Sequence, residues 1–176
     1  MREVAQLTNN RFLNINQVVD PENHVRGYQF AERAGVDSIA FICYDKNTLM
    51  VLLNKEYKPP IDAFILGAFG GSIDKDKSYE EIVQGEVLEE AGFEVSLEDI
   101  KNLGKVFVST QMNQFCYLYL VYVDAKNQKD RHPENAIEAM AKTEWHHLVR
   151  EKLFKELADW KAITILAKAE RAGLIY

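Results

Sequence analysis

The chain has 176 residues, 47% hydrophobic and 27% charged, with a formal charge of −6. That size and balance fit one soluble globular domain with a real core and exclude a disordered chain, and the acidic sum excludes a nucleic-acid polymer gripped by a broad basic face. The longest apolar runs, DSIAFICY and FCYLYLVYV, fall far short of the roughly 18 residues that cross a bilayer, and MREVAQLTNNRFLN has no signal-peptide hydrophobic region. A cytoplasmic location with no membrane partner is therefore expected.

Strands are expected over about 1–60, although the runs in the first 25 residues are too short to assign one by one. YQFAER, VDSIAFICYD and TLMVLLNKEY are apolar, β-branched runs between turn formers and predict three successive strands, the last ended by YKPP. FILGAFGGSID predicts a short strand followed by a loop whose backbone makes close approaches. A helix should then run from Tyr79 to Ala91. Ser78 as N-cap and Glu81 three positions on have capping-box form, and Gly92 suits a left-handed stop.

KVFVST and QFCYLYLVYVDA predict a hairpin, KNQKDRHPENAIEAM a polar loop with a helical turn, and KTEWHHL a last strand. From about Val149 to Ala172, Leu153, Phe154, Leu157, Trp160, Ile163, Ile165 and Leu166 recur at near-helical spacing, with Gly173 as the stop. The order implies an α/β (α+β) fold, a mixed β-sheet sandwiched between helices in one domain over 1–176. Cys43 and Cys116 lie in apolar strand-like runs and read as buried, reduced thiols. His146 and His147 adjoin in a strand and so face opposite ways, while His24 and His132 sit in polar, exposed surroundings.

On the predicted helix, Glu86, Glu89 and Glu90 share one side, because residues three and four apart are neighbours. Like charges so placed repel by a few tenths of a kcal/mol per pair. Two readings explain them: a solvated acidic face, or oxygen ligands for a hard divalent ion that bridges to substrate phosphates.

Gly71, the helix, Glu86, Glu89, Glu90, Gly92 and Phe93 together resemble the box of the Nudix hydrolases, GX5EX7REUXEEXGU, in register from Gly71 to Phe93. Lys77 stands at the first glutamate of that pattern and Gly85 at its arginine. NKEYKPP is similar to the stretch that precedes the box in Nudix enzymes of the ADP-ribose pyrophosphatase type. GAFGGSID looks like their glutamate-leucine-proline-alanine-glycine segment, with Gly67 in place of the glutamate and Phe69 in place of the proline. Where those enzymes carry an acidic residue after the next strand, this chain offers Gln114, and DWKAITILAK resembles their closing helix. The resemblance covers about Tyr28 to Ala169.

That resemblance implies a Nudix fold and cleavage of the diphosphate bond of a nucleoside diphosphate derivative such as ADP-ribose or a nucleotide sugar, with Mg²⁺ or Mn²⁺ as cofactor and a homodimer formed through the N-terminal strands. It makes Glu86 and Glu90 the leading metal ligands, Glu89 a supporting carboxylate and the Gly71 carbonyl a further ligand. Glu138, then Glu134, are candidates for the general base. Arg33, Lys55, Lys58 and Lys77 are candidate substrate contacts, and Asp74 and Asp76 lie where they restore negative charge near Lys77. Gly85 removes the arginine that orients a catalytic glutamate in the family, and a glycine in mid-helix suggests close packing or a flexible backbone there. Two alternatives accompany this reading: a catalytically inactive nucleotide-sensing or protein-binding module on the same fold, and a nucleoside triphosphate pyrophosphohydrolase.

Overall fold

The computed structural model describes residues 3–22, 24–33, 35, 37–73, 76–148 and 150–175. Asp74 and Val149, both named above, lie outside them. Strands β1 (Val4–Gln6), β2 (Leu13–Val18) and β3 (Gln29–Arg33) form a small antiparallel sheet in sequence order. It is fastened to the rest of the chain at Ala31, whose N–H donates to Gln111 and whose carbonyl accepts from Asn113.

The larger sheet contains β4 (Ser38–Asp45), β5 (Met50–Lys58), β6 (Ala63–Gly67), β7 (Ile100–Phe107), β8 (Phe115–Val123) and β9 (Lys142–His147). Its order is β6-β5-β4-β8-β7, with β9 along the other edge of β5. The pairing of β4 with β8 is parallel and in unbroken register from Ser38↔Cys116 to Asp45↔Val123.

Burial explains why β4 reads as a continuous apolar run, since a strand covered on both faces has no polar side to alternate with. Its even-numbered residues Ala40, Ile42 and Tyr44 enter one core with Leu118, Leu120, Leu153, Ile165 and Leu166. Ile39, Phe41 and Cys43 enter the other, with Phe69, Ile82, Val83, Val87 and Phe93. The first core is closed by α3 (Arg150–Glu156) and α4 (Trp160–Arg171), the second by α1 (Tyr79–Glu86) and the turn that follows it. A mixed sheet between helices results, as expected. Cys43 and Cys116 are both buried and free. Among the described residues, no helix is long and apolar enough to cross a membrane.

The expected helix 79–91 starts and stops where its caps place it. Ser78 accepts from Glu81 N–H at 3.3 Å, Glu81 accepts from Ser78 N–H at 2.8 Å, and Gly92 is left-handed with φ 78°. Its last turn differs from the expectation, widening into a π-helical turn over Val87–Ala91 in which Gly92 N–H donates back to the Val87 carbonyl.

The closing helix also differs from its expected single span. It breaks at 157–159, because the Asp159 side chain turns back to accept from Lys161 N–H (3.2 Å) and Ala162 N–H (3.4 Å) and starts α4 afresh. The polar loop does contain a short helix, α2 (Ala136–Met140), capped by Asn135.

Candidate active site

Past β6 the chain runs back along β4 rather than leaving the sheet. Phe41 and Phe69 exchange backbone hydrogen bonds at 3.0 Å, and Ile39 N–H donates to the Gly71 carbonyl at 2.9 Å. Gly70 and Gly71 are thereby fixed against the sheet beneath the box helix. That carbonyl keeps a second lone pair. A Cβ added at Gly71 would lie 2.6 Å from Glu86 Cδ, so the carboxyl of Glu86 rests directly on this glycine.

Glu90 reaches the same segment from one turn later, accepting from Gly70 N–H at 3.2 Å. Only 5% of its surface is exposed. Burial, then the charge of Glu86, with smaller contributions from Glu138 and Glu56, push its carboxyl from the ordinary 4.5 up to about 8, against the opposing pull of the Gly70 N–H. Glu89 is half-buried on the same turn.

A cleft of about 370 Å³ opens here. Glu86, Glu134 and Glu138 line it together with Asn135, while Arg33 and Lys161 bring positive charge and Gly70, Gly71, Ser72, Ser38 and Ile39 complete the wall. Ile39 is the one apolar side chain among these, so the cleft suits a charged, oxygen-rich ligand. Arg33 is oriented by a 2.7 Å hydrogen bond to Ser72 Oγ.

Both candidate bases thus reach the cleft. The Glu138 carboxylate accepts from Glu134 N–H at 2.8 Å and from the Asn135 side chain, while Glu134 is exposed at the mouth.

The loop bearing these two glutamates is docked onto the end of the box helix. The last carbonyls of a helix have no partner within it. Here His132 N–H donates to Glu89 O (2.9 Å), Arg131 Nε to Glu90 O (2.6 Å), Gln128 Nε2 to Ala91 O (3.0 Å) and Lys129 N–H to Gly92 O (2.7 Å). Arg131 also reaches Ala141 O at 2.7 Å and Glu138 O at 3.1 Å. Segment 128–132 therefore satisfies the helix end and, through Arg131, ties α2 to it.

Three sequence candidates fall elsewhere. Lys55 pairs with Glu144 on β9 at 3.5 Å, Lys58 with Glu56 at 2.7 Å, and Lys77 is exposed beside the N-cap, at the far end of the helix from Glu90; none of them lines the cleft. Asp76 is likewise exposed and outside it. Gln114 is 5% exposed and does not reach it. At Gly85 an added Cβ would meet nothing within 4 Å, so close packing is not what keeps a glycine there.

Lys161 and Arg131 escaped the sequence reading. For Lys161 the signal was Asp159, a residue of N-cap type two positions ahead, which places it in a helix's first turn. Arg131 carried no signal, because its partners are backbone atoms of segments remote in sequence.

These oxygens fit a hard divalent cation, in that carboxylates of Glu86 and Glu90 meet at one glycine pair and the charge of Glu86 raises the proton affinity of Glu90. Among the described residues no group of three or more His, Cys, Asp or Glu is gathered closely enough to hold an ion on its own. Backbone or substrate oxygens would complete the set.

No curated protein matches the chain. Among solved structures, one described as the crystal structure of an ADP compounds hydrolase is similar, with a TM-score of 0.75 at 15% identity, covering 98% of this chain and 95% of that one. At that identity the likeness is one of fold, and it agrees with the mixed sheet and flanking helices. A model described as the NUDIX domain matches residues 34–166, well over half of the chain and inclusive of the box helix and the loop docked on it, and the chain therefore belongs to the Nudix hydrolase family.

Proposed function

We propose that the cleft hydrolyses the diphosphate bond of a nucleoside diphosphate derivative, with ADP-ribose or a related nucleotide sugar as the first substrate to test. One observation carries the reading: Glu86 and Glu90 converge on Gly70 and Gly71 at the floor of a polar cleft with cations on its wall. The similar fold described as an ADP compounds hydrolase lends support. In this reading Glu86 and Glu90 hold the divalent cation that the family generally needs, Mg²⁺ or Mn²⁺, with Glu89 supporting them and the free lone pair of the Gly71 carbonyl available.

The bound cation supplies charge neutralisation on the diphosphate and acidifies a water. Glu138, with Glu134 second, takes the proton of the attacking water. The new P–O bond forms as the bridging P–O bond breaks, giving a nucleoside monophosphate and a phosphorylated second half. Each Glu138 carboxylate oxygen accepts one hydrogen bond within the turn and keeps a second lone pair for that proton. Arg33 contacts phosphate oxygens from the wall. A homodimer through the β1–β3 sheet is part of the same proposal, and Phe12, 66% exposed beside exposed Leu7 and Leu13, supplies apolar surface for it.

The test is a hydrolysis screen with Mg²⁺ and then Mn²⁺ against ADP-ribose, nucleotide sugars, dinucleotides and nucleoside triphosphates, with Glu90→Gln as control. Turnover lost in the variant supports the hydrolase and names its substrate class. Metal binding without turnover of any substrate favours a sensor, and release of inorganic pyrophosphate favours a triphosphatase.

A further inference from the structure

Gly67 stands where the resembling enzymes carry a glutamate, and the fold gives the reason. A Cβ at this position would lie 2.5 Å from Asp159 Oδ2 and 2.7 Å from Asp159 Cβ, so the start of α4 occupies the space that a side chain on β6 would need. Asp159 uses that closeness. Oδ2 accepts from Ala68 N–H at 2.9 Å, binding the helix to the strand, while the same carboxylate caps α4 at Lys161 and Ala162.

Lys161 is the second residue of this helix. A cation in a helix's first turn opposes the positive end of the dipole, which makes it a poor place for a lysine of no use. It is half-buried and lines the cleft, and among the described residues no ion pair with a carboxylate neutralises it. Arg33 enters the same cleft from β3. Since Lys55, Lys58 and Lys77 lie elsewhere, positive charge in the cleft comes from these two residues alone among those described.

We propose that Lys161 binds a phosphate oxygen of the substrate diphosphate, and that the Asp159–Gly67 contact is the device that seats it there. The inference rests on the reading that this cleft receives a diphosphate. Gly67, a departure from the family pattern, is a condition of how α4 docks. Lys161 is then a substrate-binding residue, and Asp159 and Gly67 are positioning residues.

The experiment is calorimetric titration with inorganic pyrophosphate, with and without Mg²⁺ and at two salt concentrations. It compares the wild-type protein, Lys161→Met, Lys161→Arg and, as a control at an exposed position of α3, Lys155→Met. Lys161→Met is expected to weaken binding about tenfold, the size of one charge-assisted hydrogen bond, and to flatten the salt dependence. Lys161→Arg should keep most of the affinity and Lys155→Met all of it. Gly67→Ala, which forces Asp159 aside, should weaken binding in the wild-type background and add nothing to Lys161→Met.

Equal pyrophosphate affinity of wild type and Lys161→Met at both salts overturns the proposal. So does additivity of a folded Gly67→Ala with Lys161→Met. Because the readout is binding, the two readings separate. Turnover with no Lys161 effect removes this inference and keeps the hydrolase, whereas a Lys161 effect without turnover does the reverse.

Discussion

Arg131 donates from Nε to the backbone oxygen of Glu90 at 2.6 Å, so one guanidinium ties the end of the box helix to the loop that carries Glu138. Its three acceptors are neutral carbonyls on two segments, Glu90 at the end of the box helix and Glu138 and Ala141 at the end of α2. Arg131→Met should destabilise the fold by about 2–3 kcal/mol, since it leaves the carbonyls of buried Glu90 and Ala141 without this donor. Arg131→Lys should recover little, because an ammonium lacks the planar fork that spans them. Urea midpoints at constant m-value measure both. A lysine variant as stable as wild type would mean that charge at the helix end matters, and not the three-way tie.

The contact between Glu86 and Gly71 gives a second prediction. Gly71→Ala places a methyl group against the Glu86 carboxyl, and Mn²⁺ affinity should fall about 10- to 100-fold, the usual cost of disturbing a ligand's support. Global stability should change far less, because neither residue belongs to either buried core. Mn²⁺ titration followed by electron paramagnetic resonance reads this out. Unchanged affinity would remove Glu86 from the ligand set.

A pH dependence follows from Glu90. Its carboxyl is held at about 8 in the fold against an ordinary 4.5, so between those values the folded chain retains a proton that the unfolded chain has lost. Stability of the metal-free protein must then fall as pH rises through that window, by at most about 1.4 kcal/mol per pH unit. Below 4.5 the group contributes no slope. Compared by urea denaturation from pH 5 to 8.5, the wild type should lose ground to Glu90→Gln as pH rises, and Mg²⁺ should narrow the gap by favouring the ionised carboxylate. Parallel curves without metal would show that Glu90 titrates normally.

Open space around Gly85 yields the fourth. With nothing within 4 Å of an added Cβ, Gly85→Ala should stabilise the protein by about 1 kcal/mol through helix propensity alone. Turnover, if close packing has no part in it, should be unaffected. A destabilised alanine variant would point to a backbone motion that this helix needs.

What could be read from the sequence was local. Ser78, Glu81 and Gly92 act on backbone groups within a few residues, so the ends of the box helix were legible, as were strands made of apolar runs. The widened turn at Val87–Ala91 was not, because the partners of its carbonyls lie on segment 128–132. The break at 157–159 was hidden for another reason. Leu153 before it, Leu157 within it and Ile165 and Leu166 after it enter the same core, so apolar spacing continues across a gap in the helix. For the cleft, carboxylates three and four apart needed only helix geometry, whereas its cations come from β3 and α4, which only the folded sheet brings together.

The parallel pairing of β4 with β8 has a consequence for synthesis. Ser38 meets its register partner only at Cys116, so the most buried strand of the molecule leaves the ribosome long before one of its two neighbours exists. Until then SIAFICYD exposes apolar faces and an unfilled strand edge, the combination that invites association with other chains. Production should therefore suffer most when translation outruns chaperone supply, and slower translation at lower temperature should raise the yield of native protein without any change in its final stability.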